Sequence, residues 1–465
     1  MTPTRLSSPD QLLVLVYLIG ILFIGLLVAR HTKRDETSYL LMGRRLTLPA
    51  FVATLVATWY GGILGIGEFT YRFGLLNWLT QGLPYYLFAF LFGLFFAAKV
   101  RQTAQFTIPD QLYQHYGKGA GLFGSFLIFF LTNPAPHILM VTILLSSIFG
   151  ISFWWAWFFA ILFSVTYVLF GGLRSVVYTD VIQFLLMYLG FFVLVALLYS
   201  RFGGIAFLQA HLPDNHLKFS GGEHWQFIFV WFFIALWTFV DPGFYQRCYA
   251  AKSPRVARRG VLIAILFWLG FDFLTTTAGL YARALLPGIN PLDAFPRLGQ
   301  EFLPQIWRGI FFVSLLATVM STLDSNSLLA AITFGRDLLW RLKPDSSSAT
   351  NTKIGIAVTL IVATLIISFV PSVVRIWYLL GSLCIPSLIF PVTSALTKYK
   401  IPRRSAFVSM VGAFSATLVW FVIGVHRGNF LAPAFLGQIQ PFFVGLAAAI
   451  LVIGVEHLIR RRIEQ

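Results

Sequence analysis

Runs of about 20 apolar residues, each bounded by charge, glycine or proline, recur along the whole 465-residue chain. A hydrocarbon layer of about 30 Å is crossed by about 20 apolar residues in helical form, so runs of this length read as membrane spans. The composition agrees. At 58% hydrophobic, 17% aromatic and 11% charged residues, there is too little polar surface to cover a water-soluble globule of this size. The chain therefore reads as an all-α protein with lipid as its solvent.

Thirteen candidate spans follow in chain order. Spans 1 to 5 lie near 11–30, 48–71, 77–99, 121–149 and 152–170. Spans 6 to 9 lie near 178–200, 225–246, 260–283 and 307–335, and spans 10 to 13 near 354–372, 376–397, 405–425 and 439–459. No loop between them is long enough for a separate soluble domain, which makes the chain one integral membrane unit. The first run is preceded by a single basic residue, Arg5, and followed by charge rather than a small-residue cleavage site, so it reads as a retained helix. The formal charge of +17 would suit a nucleic-acid partner only if the basic residues shared a soluble face. They lie between apolar runs instead, and no nucleic-acid partner is expected. Cys248 and Cys384 fall in separate segments and form neither a disulfide framework nor a metal-ligand spacing.

Lysine and arginine are retained on the cytoplasmic side during insertion. With the N-terminus outside, 25 of the 34 basic residues fall on the inner side of a thirteen-span chain. The expected placement is therefore multi-pass in the inner membrane, with the N-terminus outside and the C-terminus in the cytoplasm. Two spans carry breaks. Span 2 has Gly61, Gly62, Gly65 and Gly67, and span 7 has Asp241-Pro242-Gly243. Five spans counted from each give two equal sets, 2 to 6 and 7 to 11, of opposite orientation. Paired interrupted helices at matching places in inverted halves point to a transporter binding site, because unwound backbone survives in a membrane only where it lines a cavity. The competing reading, that these glycines merely let helices approach closely, applies most to Gly65 and Gly67.

The stretch from Gly171 to Tyr188, GGLRSVVYTDVIQFLLMY, resembles the signature of the sodium:solute symporter family, with Gly171, Gly172, Thr179, Asp180 and Gln183 matching and Ser175 in place of an alanine. LLATVMSTLDSNSLLAA in span 9 is similar to that family's sodium-binding helix, and Gln246-Arg247 before AAKS and FTIPDQLYQHYG after span 3 add weaker agreement. Together with the span count, the resemblance covers essentially the whole chain. It implies a LeuT-like 5+5 inverted-repeat core with flanking helices: 11–30 as an extra N-terminal helix, 48–200 and 225–397 as the repeats, and 405–459 as extra C-terminal helices.

A sodium ion exchanges its water shell for hard oxygen ligands. Ser321, Thr322 and Ser325 supply hydroxyls near the middle of span 9. Such hydroxyls also commonly bond back to their own helix. The resemblance implies that Ser321 and Thr322 give side-chain oxygens and Thr318 a carbonyl to a sodium site, completed by carbonyls of span 2, assigned here to Thr58 and Gly61. It further implies that Asp180 joins Ser321 and Ser325 in a second cation site. Asp324 stands where the family usually has serine. A carboxylate inside a span costs about 2.5–3.5 kcal/mol on insertion scales and calls for a partner or a task. Asp324 either helps neutralise sodium, carries a proton, or pairs with a cation; Asp180 is a ligand or an interface anchor.

Solute candidates are Tyr60 on span 2, Asn133 and His137 on span 4, and Trp237 and Asp241 on span 7, with hydrogen-bonded packing the alternative for His137. Asp241 stands where many of the resembled family carry an amide, which weighs against a sugar site. The reading is sodium-coupled symport of a small polar organic solute by alternating access, without a cofactor and without an obligatory protein partner. Proton coupling on the same fold is the alternative, given Asp180, Asp324 and His137. A membrane-embedded enzyme would need a nucleophile and base or a metal cluster, and none of the 8 histidines forms an H-x-x-x-H pattern. A sensor on a transporter fold is expected to carry a long soluble C-terminal region, whereas IRRRIEQ follows span 13.

Overall fold

The computed structural model describes residues 6–32, 35–342, 348–370, 372–428 and 433–463. Among them the backbone is helical almost throughout, and an isolated bridge between Leu46 and Ala251 is the one strand-like pairing. Among the described residues eleven helices are long and apolar enough to cross a membrane, or twelve if the bent pair Leu48–Trp59 and Ile63–Phe73 is one span. Local chemistry sets many of their starts. Proline occupies the first turn of the helices beginning at Leu48, Leu83, Pro242 and Pro254, where its missing N–H removes nothing from the ladder. Thr107, Asp241 and Ser253 cap theirs by accepting from the amides of Asp110, Phe244 and Val256.

The expected gap between spans 5 and 6 is absent. Phe153–Phe202 is a 50-residue helical run broken at one residue, Gly172, with φ 55° and ψ −147°. Unbroken, 50 residues would measure about 75 Å against a hydrocarbon layer of about 30 Å. The expected count of thirteen is reached only by dividing this run at Gly172. Gly171-Gly172 and Arg174 suggest the end of a span because glycine and charge usually close an apolar run, yet here one glycine makes the kink. Arg174 stays in the helix and donates from Nη1 to the His31 carbonyl at 2.9 Å. A Cβ at Gly172 would lie 2.2 Å from the Tyr39 carbonyl oxygen. Gly172→Ala is therefore expected to lose at least about 1–3 kcal/mol from backbone strain alone, seen as a lower melting temperature in detergent. Gly270→Ala, where a Cβ would have nothing within 4 Å, serves as the tolerated control.

Both breaks foreseen from glycine and proline are present. Span 2 stops at Trp59, resumes at Ile63 and bends by 57° between them. A Cβ at Gly61 would sit 2.2 Å from Thr322, and one at Gly62 would sit 2.1 Å from the Trp377 ring, so the unwound segment is pressed against two neighbouring helices. Gly65 and Gly67 lie against Trp377 and Phe295, where a side chain would collide, so these two serve close packing. In span 7, helix Trp225–Ile234 tightens through Ala235–Phe239, breaks at Val240 and Asp241, and resumes as Pro242–Ala250.

Helix Trp307–Ile332 is buried almost along its length and stands at the centre. Ser8–Ala29, Arg403–Arg427 and the outermost Pro441–Ile463 instead present exposed apolar side chains such as Val16, Val419 and Leu451, as lipid-facing helices do. Trp154, Trp155 and Trp225 are exposed at the starts of their helices, the level of an interfacial aromatic belt. The element continues helically through Thr333–Trp340, and ion pairs clamp both its ends. At one end Arg308 meets Asp10 at 2.6 Å, and Asp10 also accepts from the amides of Ile306 and Gly309. At the other, Arg336 meets Glu36 at 2.6 Å and Asp110 and Asp337 at 2.9 Å, with Arg341 also on Asp110. Glu68 and Arg72 pair with each other at 3.1 Å on the exposed end of span 2, a contact worth about 0.3–0.5 kcal/mol.

Candidate cation and solute sites

Span 9 carries its hydroxyls as a stripe, since residues three and four apart share a helix face. Thr318 bonds back to the Ser314 carbonyl at 2.7 Å, within its own helix. One turn on, Ser321 donates to Asp180 Oδ1 at 2.6 Å, and Thr322 donates to the Thr58 carbonyl at 2.6 Å. Thr322 also touches Gly61 closely enough to exclude a side chain there. A hydroxyl that donates its one proton keeps two acceptor lone pairs. Ser321 and Thr322 thus keep free lone pairs while their protons rest on Asp180 and the Thr58 carbonyl. The fold brings Thr58, Gly61, Ser321 and Thr322 together, with Thr318 one turn away.

Asp180 is fully buried, and a second group of oxygens surrounds it. Its Oδ2 accepts from Thr54 and lies 3.5 Å from the Thr58 hydroxyl, which is 3.2 Å from Ser325. Into this group comes Arg247. Its Nη2 lies 2.6 Å from Ser325 Oγ, 2.9 Å from Thr58 Oγ1, 3.1 Å from Thr54 Oγ1 and 3.5 Å from Asp180 Oδ2. Both Arg247 and Asp180 are wholly buried. The oxygens expected to hold a second cation therefore already surround one. In the sequence, Arg247 counts as an inner-loop charge because span 7, with its Asp241-Pro242-Gly243 break, is taken to end at Gln246, just before that charge. The helix resumes for two more turns and carries Arg247 into the interior. The cost of a charge inside a span is the signal that marks it. Thr54 has no comparable signal, because a threonine in an apolar helix usually bonds its own backbone.

Asp324 turns another way. Its two carboxylate oxygens accept from Ser164 and Tyr167, side chains of the long run Phe153–Phe202. It is brought into neither the Thr58–Thr322 group nor the Arg247 group.

Tyr60, Asn133, His137, Trp237 and Asp241 all line one cavity of about 160 Å³, which Thr58, Thr322 and Arg247 also reach. Asn133 Oδ1 caps the helix from Ala135 by accepting its amide at 3.0 Å, leaving Nδ2 without a partner among the described residues; His137 Nδ1 is likewise unpartnered. Asp241 Oδ1 accepts from the Phe244 amide at 3.0 Å. The Tyr60 hydroxyl is committed to the Trp268 carbonyl at 2.9 Å, so Tyr60 offers the cavity its ring rather than its oxygen. Sequence reasoning also missed a lining carboxylate: Asp272, inside Pro254–Leu285, accepts from the Tyr86 hydroxyl. A lone carboxylate in an apolar run is itself the sign of a site.

The chain is similar to known proteins along most of its length. The chain is 26% identical over 442 residues to the high-affinity choline transporter 1 of Drosophila melanogaster, covering 90% of this chain and 70% of that one. It is 25% identical over 469 residues to the sodium/pantothenate symporter of Haemophilus influenzae, covering 93% and 96%. A solved Na+-coupled sialic acid symporter, substrate-bound and outward-open, superposes with a TM-score of 0.77 at 17% identity over 97% of each chain. That likeness shows the LeuT-like all-helical fold. The family and these relatives are transporters rather than enzymes, and with its sequence profile matching residues 39–379, the chain belongs to the sodium:solute symporter family.

Proposed function

We propose that this protein moves a small polar organic solute across the inner membrane together with sodium, by alternating access. The observation that carries the reading is the meeting of both helix breaks with the span 9 hydroxyls: Thr58, Thr322 and Asp241 line the same cavity. Sodium is held by the carbonyls of Thr58, Gly61 and Thr318 and the hydroxyls of Ser321 and Thr322, a donor set of hard oxygens. The position beside Asp180 and Ser325 is filled by the Arg247 guanidinium, so one sodium accompanies each solute. Residues 48–200 and 225–397 act as inverted repeats around this point, flanked by 11–30 and 405–459. The N-terminus is outside and the C-terminus in the cytoplasm, in line with the charge alternation.

Sodium binding is testable before the solute is identified. Thermal unfolding of the purified protein in sodium chloride against potassium chloride is expected to show selective stabilisation, about 2.7 kcal/mol at a sodium concentration 100 times Kd. Equal melting in the two salts would remove sodium as the coupling ion.

A second reading, proton coupling, is favoured by one observation: Asp324 is buried with two hydroxyl donors and, among the described residues, no ion pair. Under that reading Asp324→Asn keeps solute exchange but loses accumulation driven by a pH gradient, while sodium has no effect on melting.

A further inference from the structure

We infer that the solute is a compact organic cation, an alkylammonium carrying a single hydroxyl or carbonyl oxygen. This rests on the reading of the 160 Å³ cavity as the transported solute's site. Four tryptophans, Trp59, Trp231, Trp237 and Trp377, line the cavity together with Asp241 and Asp272. Indole rings attract cations through the negative potential of their faces, more strongly where water is excluded, and this combination of aromatic walls and carboxylates suits an ammonium group.

The charges around the cavity point the same way. Arg247 is its one lysine or arginine, and that guanidinium is already engaged by Asp180, Ser325, Thr54 and Thr58. Among the described residues neither Asp241 nor Asp272 forms a close ion pair: Asp241 caps a helix N-terminus and feels Arg247 only at longer range, and Asp272 accepts from a tyrosine hydroxyl. An anionic solute would lie against two carboxylates. The orphaned buried polar atoms among the lining side chains are all nitrogens, Asn133 Nδ2, His137 Nδ1 and Arg247 Nε. They suit one oxygen on the solute. Small size follows from the volume, which is below the about 300–1,000 Å³ of sites for drug-sized ligands. Trp59 is held in place, edge-on to Tyr85 at 5.1 Å and to Phe244 at 5.3 Å, so this part of the wall is built before any solute arrives.

The test uses the full-length protein in nanodiscs with sodium, read by quenching of its intrinsic tryptophan fluorescence. The probes are choline, its uncharged carbon isostere 3,3-dimethylbutan-1-ol, zwitterionic betaine, neutral glucose and anionic pantothenate. Choline is expected to quench saturably and to bind at least about tenfold more tightly than the isostere, the difference being the charge. Asp272→Asn and Asp241→Asn keep the hydrogen-bond geometry, and asparagine is as good a helix cap as aspartate. Each is expected to weaken choline by about tenfold or more and to leave the isostere unchanged. Absence of saturable choline quenching, equal binding of choline and isostere, or tighter binding of betaine, glucose or pantothenate would each overturn the inference. The isostere comparison on the unmodified protein holds even if a variant fails to fold. Choline that binds yet never accumulates in proteoliposomes under a sodium gradient would sink the symport reading while the solute class stands. Sodium-driven accumulation of glucose, pantothenate or betaine without choline would do the reverse.

Discussion

Arg247→Met is expected to lower stability in potassium salts by about 3–5 kcal/mol, because it strands a buried carboxylate, and to create a second sodium response that the unmodified protein lacks. The cause is the arrangement around Nη2, where three hydroxyls and Asp180 lie within 2.6–3.5 Å. Removing the guanidinium leaves a carboxylate and hydroxyls around a hole that sodium ions can enter. Titrating melting temperature with sodium should therefore report one binding event in the unmodified protein and two in the variant. Adding Asp180→Asn should restore much of the lost stability, since a neutral pair needs no counter-charge. An Arg247→Met protein as stable as its parent, with an unchanged sodium titration, would show that the guanidinium does not stand in for an ion.

The double variant Ser321→Ala, Thr322→Ala should reduce apparent sodium affinity by roughly a hundredfold, at about 1.5 kcal/mol for each oxygen lost from a charged partner. Abundance should fall much less. Both hydroxyls donate to neighbours that have other donors or a second lone pair: Asp180 retains Thr54, and the Thr58 carbonyl stays beside the unwound segment. The measurement is the sodium concentration that gives half-maximal thermal stabilisation, with membrane abundance measured alongside. Wild-type sodium dependence in the double variant would place the ion elsewhere.

What was legible in the sequence was mostly what glycine, proline and long apolar runs can say. The breaks at Gly61-Gly62 and Asp241-Pro242-Gly243 lie where those residues put them, because neither residue sustains a helix ladder well. The hydroxyl stripe of span 9 was legible from spacing alone. Arg247 was hidden by its own charge: a basic residue after an apolar run reads as the end of a span, so span 7 stops at Gln246 and Arg247 falls to the inner loop. Asp272 lies 19 positions past the end of AAKS and Tyr86 lies in a separate span, and their hydrogen bond exists only through packing between those spans. The direction taken by Asp324 was equally closed to inspection. Spacing puts it beside Ser321 and Ser325, while the presence of Ser164 and Tyr167 decides which neighbour it meets.

The clamps at the two ends of the central element have a mechanical consequence. Arg308 and Arg336 are separated by about 42 Å of helix axis, taking 1.5 Å per residue. A rod of that length tilted about its middle by about 10° carries each end sideways by about 4 Å. The contacts that hold those ends are 2.6 Å long at Asp10 and 2.6–2.9 Å at Glu36 and Asp110. Hydrogen-bonded ion pairs do not stretch over such a distance. The rod therefore tilts only in company with the N-terminal helix at one end and with the segments Glu36–Leu41 and Ile108–Tyr116 at the other, or else it must exchange one set of anchors for another at each stroke.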